Sequence, residues 1–206
     1  FTAYVKAVFG EMTSKAGQKC TAIRRAIVPN HLVEPFIAAL SQRLDDKVVV
    51  GDPREEGSTM GPLVSVDQRD DVAAAVGALE NAGGEVVYGG ADKLEGAFFA
   101  PTILKFADAK NPTVHSTEAF GPVVSVLGYE TVDEAVELAA LGAGSLVASV
   151  VTHDPELATQ YGRGIAAHHG RLHFLDRDDA KTSTGHGSPL PHLTHGGPGR
   201  AGGGEE

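Results

Sequence analysis

Apolar residues recur at helical spacing over Val5, Val8, Phe9 and Met12, and Gly17 ends that run. Arg24 to Val28 reads as a short strand stopped by Pro29. Asn30 is placed to cap a helix that carries Leu32, Phe36, Leu40 and Leu44 on one face, with Val33 and Ile37 beside them. Ser65 and Gln68 have capping-box spacing ahead of the stripe Val72, Val76, Leu79, and that helix stops near Gly83-Gly84. Glu85 to Tyr88 and Phe99 to Phe106 read as strands, the second with an irregular or edge-like start because Pro101 has no N–H to donate. Val123 to Tyr129 is strand-like. Thr131 and Glu134 repeat the capping-box spacing before a helix carrying Val136, Ala139 and Ala140. Leu146 to Val151 is a continuous apolar run, the mark of a strand buried on both faces. Asp154-Pro155 opens a helix that reaches about Gly164, and Arg171 to Leu175 is the last strand.

Strands therefore alternate with helices, which predicts the α/β class: a mainly parallel sheet covered by helices. After Asp176 the pattern fails. Eight of the 26 glycines fall within residues 185–204, too many to build a core. Residues 1–176 are expected to form the folded domain. Residues 177–206 are a glycine- and histidine-rich segment, expected to be disordered or laid over a partner surface.

A chain of 206 residues can bury a substantial core. Seventeen Lys and Arg against 27 Asp and Glu leave a net charge of −10, which argues against nucleic acid and anionic membranes as partners. No apolar run is long enough to span a bilayer, and no signal peptide is visible. One cysteine and no export signal make a reducing cytoplasm the expected location. The chain begins at Phe1 in what reads as mid-helix, as a fragment would.

That single cysteine, Cys20, cannot form an intrachain disulfide. It sits in Gly17-Gln18-Lys19-Cys20-Thr21-Ala22-Ile23-Arg24-Arg25. Gly17 lets the backbone approach another group closely. Lys19, Arg24 and Arg25 place positive charge nearby, which favours the thiolate. Two readings stay open on this chemistry: an activated nucleophile, or a small buried hydrophobe.

The same run resembles the active-site cysteine segment of the aldehyde dehydrogenase superfamily. The resemblance continues in order through Gly57-Ser58-Thr59-Met60-Gly61-Pro62-Leu63, then Phe98-Phe99-Ala100-Pro101-Thr102, then Glu118-Ala119-Phe120-Gly121-Pro122-Val123, and closes on Gly196-Gly197-Pro198-Gly199-Arg200-Ala201-Gly202. It implies that Cys20 attacks an aldehyde to form a thiohemiacetal, its backbone N–H helping to hold the oxyanion. The resulting thioester is then hydrolysed with help from a general base. It implies that Glu118 accepts hydrogen bonds from the ribose of a nicotinamide cofactor, since a carboxylate only accepts, and that Phe120 packs near the nicotinamide ring. Read without it, Glu118 is an ordinary loop acid and Phe120 a core aromatic.

The tail from Asp179 to Glu206 is similar to the branch that oxidises ring-opened acyl-CoA semialdehydes in phenylacetate degradation with NADP, NAD being the alternative cofactor. A related branch, the dehydroadipyl-CoA semialdehyde dehydrogenases of the benzoyl-CoA pathway, has a similar tail. The partners implied are a small-molecule aldehyde substrate and further copies of the chain in a homo-oligomer. Two positions depart from the superfamily: Asp176 stands where Asn is usual, and Thr182 where an acidic residue is usual. Only nineteen residues precede Cys20, so the family's general-base glutamate, its oxyanion-hole asparagine and its cofactor-binding domain are expected to lie outside this chain, as is its C-terminal oligomerisation strand. Glu11 reads as a surface residue. The expectation is a cysteine-bearing fragment that does not turn over alone. A thiol esterase and a non-catalytic subunit remain as alternatives.

Other candidates read as structural. Glu55-Glu56 and Asp70-Asp71 are adjacent and do not share a helical face. Of His168, His169, His173, His186, His192 and His195, only the last two have a spacing that could share a helical face, but Gly and Pro surround them and there is no His-Glu-x-x-His or cysteine partner, so no metal is expected. Gly197 to Gly202 satisfies G-x-G-x-x-G but follows no strand and opens no helix, so it is not read as a dinucleotide fingerprint.

Overall fold

A computed structural model describes residues 1–90, 94–187, 190–193 and 195–202. Residues 188–189, 194 and 203–206 of the glycine-rich tail lie outside the described residues. The elements run α1 (Thr2–Thr13), β1 (Arg25–Pro29), α2 (Val33–Lys47), α3 (Val66–Asn81), β2 (Gly84–Tyr88), β3 (Thr102–Phe106), α4 (Pro112–Ser116), β4 (Val123–Tyr129), α5 (Val132–Ala140), β5 (Ala148–Val151), α6 (Pro155–Ile165) and β6 (Leu172–Leu175).

The main sheet has the order β1-β4-β3-β2. β4 runs parallel to both β1 and β3, and only β2, at the edge, is antiparallel. The α/β expectation thus holds. Because side chains alternate across a strand, β4 feeds two cores. Val124 and Val126 pack with Val5, Val8 and Met12 of α1 and Phe36, Leu40 and Leu44 of α2. Val123 and Leu127 pack on the other face with Val72, Val76 and Leu79 of α3. Helices on both faces explain why β4 is buried from Val123 to Leu127.

The expected caps form at Ser65, Thr131 and Asp154, each side chain accepting from backbone N–H groups one turn in. Asn30 does not cap. Residues 30–32 make a single tight turn, α2 starts at Val33, and the Asn30 amide donates to Glu130 instead. In α5 the buried residues are Ala135 and Leu138. Val136 turns toward α6, where a Cβ on Gly164 would meet it at 2.7 Å. The short α4 escaped the periodicity, though Asn111-Pro112 supplies its cap and its first residue.

The larger correction concerns β5. It does not join the main sheet but pairs in parallel with β6 in a separate two-stranded sheet. Of its four residues only Val150 is buried. The free edges of β1 and β5 both line a cavity of about 630 Å³. The apolar run at 146–151 therefore faces an open groove rather than a closed core.

The described part of the tail is not loose, and it lies on its own chain. A Cβ at Gly170 would land on the Gly196 carbonyl, one at Gly144 on the Pro198 carbonyl, and one at Gly197 on the Ser145 carbonyl. Arg200 adds a backbone bond to the Ala143 carbonyl at 3.0 Å. Gly197 and Gly199 of that run serve close packing, with the Ser145 and Ala143 carbonyl oxygens against their Cβ positions, and the described residues there form only the short turn Gly199–Ala201.

Candidate active site

Cys20 is exposed, in the loop between α1 and β1. That loop turns through three consecutive left-handed residues, Lys15, Ala16 and Gly17. The turn presses Gly17 against the Glu118–Val123 run: a Cβ on Gly17 would sit on the Gly121 carbonyl oxygen and 2.9 Å from Pro122 Cα. The cysteine loop and the Glu118–Pro122 loop are therefore stacked backbone to backbone.

Arg24 locks the two together. Its guanidinium donates to the carbonyls of Gly121 (2.8 Å), Gly17 (2.8 Å) and Lys19 (3.1 Å). Its Nε lies 3.7 Å from Glu118 Oε1, an ion pair beyond hydrogen-bond length. Its Cζ lies 5.4 Å from the Phe120 ring centroid, within cation–π range. Burial pushes the Arg24 pKa below its ordinary value, and the charge of Glu118 opposes that shift. Sequence reasoning took Arg24 only as nearby charge. Nothing in the sequence separates it from its neighbour Arg25.

The other two cations do not behave as the sequence suggested. Lys19 pairs with Glu11 at 2.7 Å, both side chains largely buried, so Glu11 is not a surface residue and the Lys19 charge is compensated. Arg25 points away from the thiol, to His115 Nδ1 (2.8 Å) and to the Leu138 and Ala139 carbonyls at the end of α5. Burial, and then the charge of Arg200, push its pKa down to about 10. Adjacent residues entering a strand face opposite ways, which separates Arg24 from Arg25.

Cys20, Glu118 and Phe120 all line the 630 Å³ cavity. Glu118 keeps its side chain 43% exposed. Phe120 is 36% exposed, which removes the core-packing alternative for it.

His169, His173 and His186 have structural partners. His173 and His186 flank Ser149 at 3.1 and 2.7 Å, and His173 Nε2 meets Ser183 at 2.8 Å. His169 bonds the Ile165 carbonyl at 2.8 Å. His153, Asp176 and Asp178 do bring three ligand atoms together. All lie at the surface end of β5 and β6, and Asp176 already accepts from the backbone N–H groups of Asp178 and Asp179. Those two bonds, with His153, hold its carboxyl below the usual range. Asp176 is thus a turn-former: its Oδ1 takes the two backbone bonds that an Asn could also accept, and its Oδ2 faces His153 Nδ1 at 3.2 Å.

Burial pushes His186 down to about 3, helped by the positive charges of His173, Lys19 and Arg171. The unfolded chain takes up a proton near pH 6.5 that the fold refuses, so this stability is present above that pH and lost as pH falls toward 3. His115, His169 and His173 are shifted the same way. Unfolding free energy should drop by about 2 kcal/mol between pH 7.5 and about pH 4.5. Urea titrations at the two values measure it, and His186→Asn should flatten the difference.

The aldehyde dehydrogenase family pattern matches residues 1–185. The chain belongs to the aldehyde dehydrogenase family. Among its relatives, Protein MaoC of Klebsiella aerogenes is 49% identical over 150 residues, covering 71% of this chain and 45% of that protein. The 3,4-dehydroadipyl-CoA semialdehyde dehydrogenase of Aromatoleum evansii is 40% identical over 209 residues, covering 96% of this chain and 40% of that protein. Aldehyde dehydrogenase C of Pseudomonas syringae, solved as a C291A mutant with NAD+ and octanal, superposes with TM-score 0.83 at 29% identity, over 98% of this chain and 40% of its own. Betaine aldehyde dehydrogenase of Staphylococcus aureus, solved with NAD+, superposes with TM-score 0.84 at 25% identity, over 98% of this chain and 39% of its own. This family member therefore spans less than half the length of these relatives. No helix among its described residues is long and apolar enough to cross a membrane.

Proposed function

We propose that this chain is the cysteine-bearing part of an NAD(P)-dependent aldehyde dehydrogenase. The observation that carries this is the convergence of Cys20, Glu118 and Phe120 on one cavity, with Arg24 tying their loops together. Cys20 attacks the aldehyde carbon, and the carbonyl electrons move to oxygen to give a thiohemiacetal. The Cys20 N–H helps hold that oxygen as charge develops. Glu118, an exposed carboxylate on the cavity wall, fits as acceptor for the two ribose hydroxyls, and the exposed Phe120 face fits beside the nicotinamide. The cofactor, when bound, supplies hydride acceptance. The Cys20 thioester is then open to hydrolysis.

The substrate we propose is an acyl-CoA semialdehyde of aromatic catabolism. Supporting it are the tail sequence and the 40% identity to the Aromatoleum evansii dehydrogenase over nearly the whole chain. Phenylacetate degradation and NADP are the finer choice within that class. Residues 1–176 would be the catalytic domain, with 177–206 as its C-terminal segment, working in a homo-oligomer.

The test is a chimera in which this chain replaces the corresponding part of the Aromatoleum evansii enzyme. It should reduce NAD or NADP with an acyl-CoA semialdehyde, lose the activity with Cys20→Ala, and need more cofactor for half-saturation with Glu118→Gln. A folded chimera that reduces neither cofactor with any aldehyde overturns the reading.

A further inference from the structure

His195 comes from the glycine-rich tail, 175 positions along the chain, yet its Nε2 lies 3.4 Å from Cys20 Sγ. The contact is not the accident of a loose end. The residues that follow His195 are clamped on the loops at 143–145 and 170, where four glycines make room for backbone against backbone. The Arg200 backbone and side chain then bond the Ala143 and His115 carbonyls. A histidine on this anchored segment is held against the thiol.

The other charged groups around Cys20 are occupied. Lys19 is paired with Glu11. Arg24 spends its donors on three backbone carbonyls and faces Glu118, and the thiol acts on it only as a nearby charge. Arg25 faces α5. Among the described residues, the side chain positioned to exchange a proton with Sγ is His195.

We propose that His195 is a catalytic residue that accepts the Cys20 proton. With its own proton on Nδ1, the neutral imidazole presents the Nε2 lone pair to the thiol. The S–H proton moves to Nε2, leaving a thiolate beside an imidazolium, with no change in net charge. The sulfur lone pair then forms the bond to the aldehyde carbon, and the imidazolium returns its proton to the new oxygen. This rests on the reading of Cys20 as nucleophile and adds the group that activates it. An unassisted thiol is only a few per cent ionised near pH 7, so a paired thiolate gains about tenfold.

The experiment measures alkylation of Cys20 by iodoacetamide against pH, on the 206-residue chain. The reagent is neutral, so removing a nearby charge does not change its approach. The native protein should react at pH 7 about ten times faster than N-acetylcysteine. His195→Gln, which keeps hydrogen bonding but cannot hold the proton, should lose that advantage and follow a single thiol titration. His195→Gly should recover rate on addition of imidazole, an effect that a merely structural role would not produce. Thermal melting confirms that each variant is folded. Rapid alkylation retained in folded His195→Gln overturns the role of His195 alone. A native protein no faster than N-acetylcysteine overturns both this role and the nucleophile reading.

Discussion

Gly17→Ala should destabilise the fold by about 4 kcal/mol and remove any rapid reaction at Cys20. Gly17 has φ of 70°, a conformation that strains any other residue. It also has no room: a Cβ there would overlap the Gly121 carbonyl, with its carbon at 2.5 Å and Pro122 Cα at 2.9 Å. These are backbone atoms and cannot rotate aside. Nor can Gly121 retreat, because a Cβ on that residue would meet Val72 of α3 at 2.8 Å, so the core is directly behind it. The strain is relieved only by moving the Cys20 loop. Gly57→Ala is the control. Gly57 has φ of 94° but nothing within 4 Å of its Cβ position, so it should cost about 1 kcal/mol and leave Cys20 unaffected. Urea unfolding and iodoacetamide alkylation of both variants check this. Similar costs for the two would mean that the packing against Gly121 contributes nothing.

Arg24→Ala should cost about 3 kcal/mol and disturb Cys20, Glu118 and Phe120 together. Truncation strips three carbonyls of charged donors and removes the cation above the Phe120 ring. Arg24→Lys should recover only a minor part, because one ammonium cannot span carbonyls on both loops as the planar guanidinium does. Arg25→Ala is the informative comparison. It too should lower stability, since Arg25 holds α5 and His115, but it should leave Cys20 alkylation unchanged. Equal effects of the two on Cys20 would overturn the assignment of Arg24 as the link between the loops.

The elements were legible where local physics decides them. Val72, Val76 and Leu79, with Ser65 as cap, specify α3 because an amphipathic stripe and a satisfied N-terminus need no distant partner. Asp154-Pro155 opens α6 for the same reason. Reading failed where the outcome depends on what lies opposite. The run at 146–151 has the composition of a buried central strand, but it pairs on one side only and its other edge lines the cavity. Val136 and Ala135 are both apolar neighbours, and only the placement of α6 decides which of them faces it.

The site divides in the same way. Cys20, Glu118 and Phe120 stood out in the sequence by resemblance, and all three line one cavity. Arg24 and Arg25 did not differ in the sequence. The entry into β1 turns one toward the thiol loop and the other toward α5. His195 was one of six tail histidines, and its spacing from His192 gave no hint of the thiol, because that partner is 175 positions away. Most of the order of helices and strands, the caps at Ser65, Thr131 and Asp154, and the family follow from the sequence alone, because they rest on periodicity, local hydrogen bonds and contiguous motifs. The split of the sheet, the clamp of Arg24 on two loops and the contact of the tail with Cys20 were decided only by the tertiary structure, because each depends on groups brought together from distant parts of the chain.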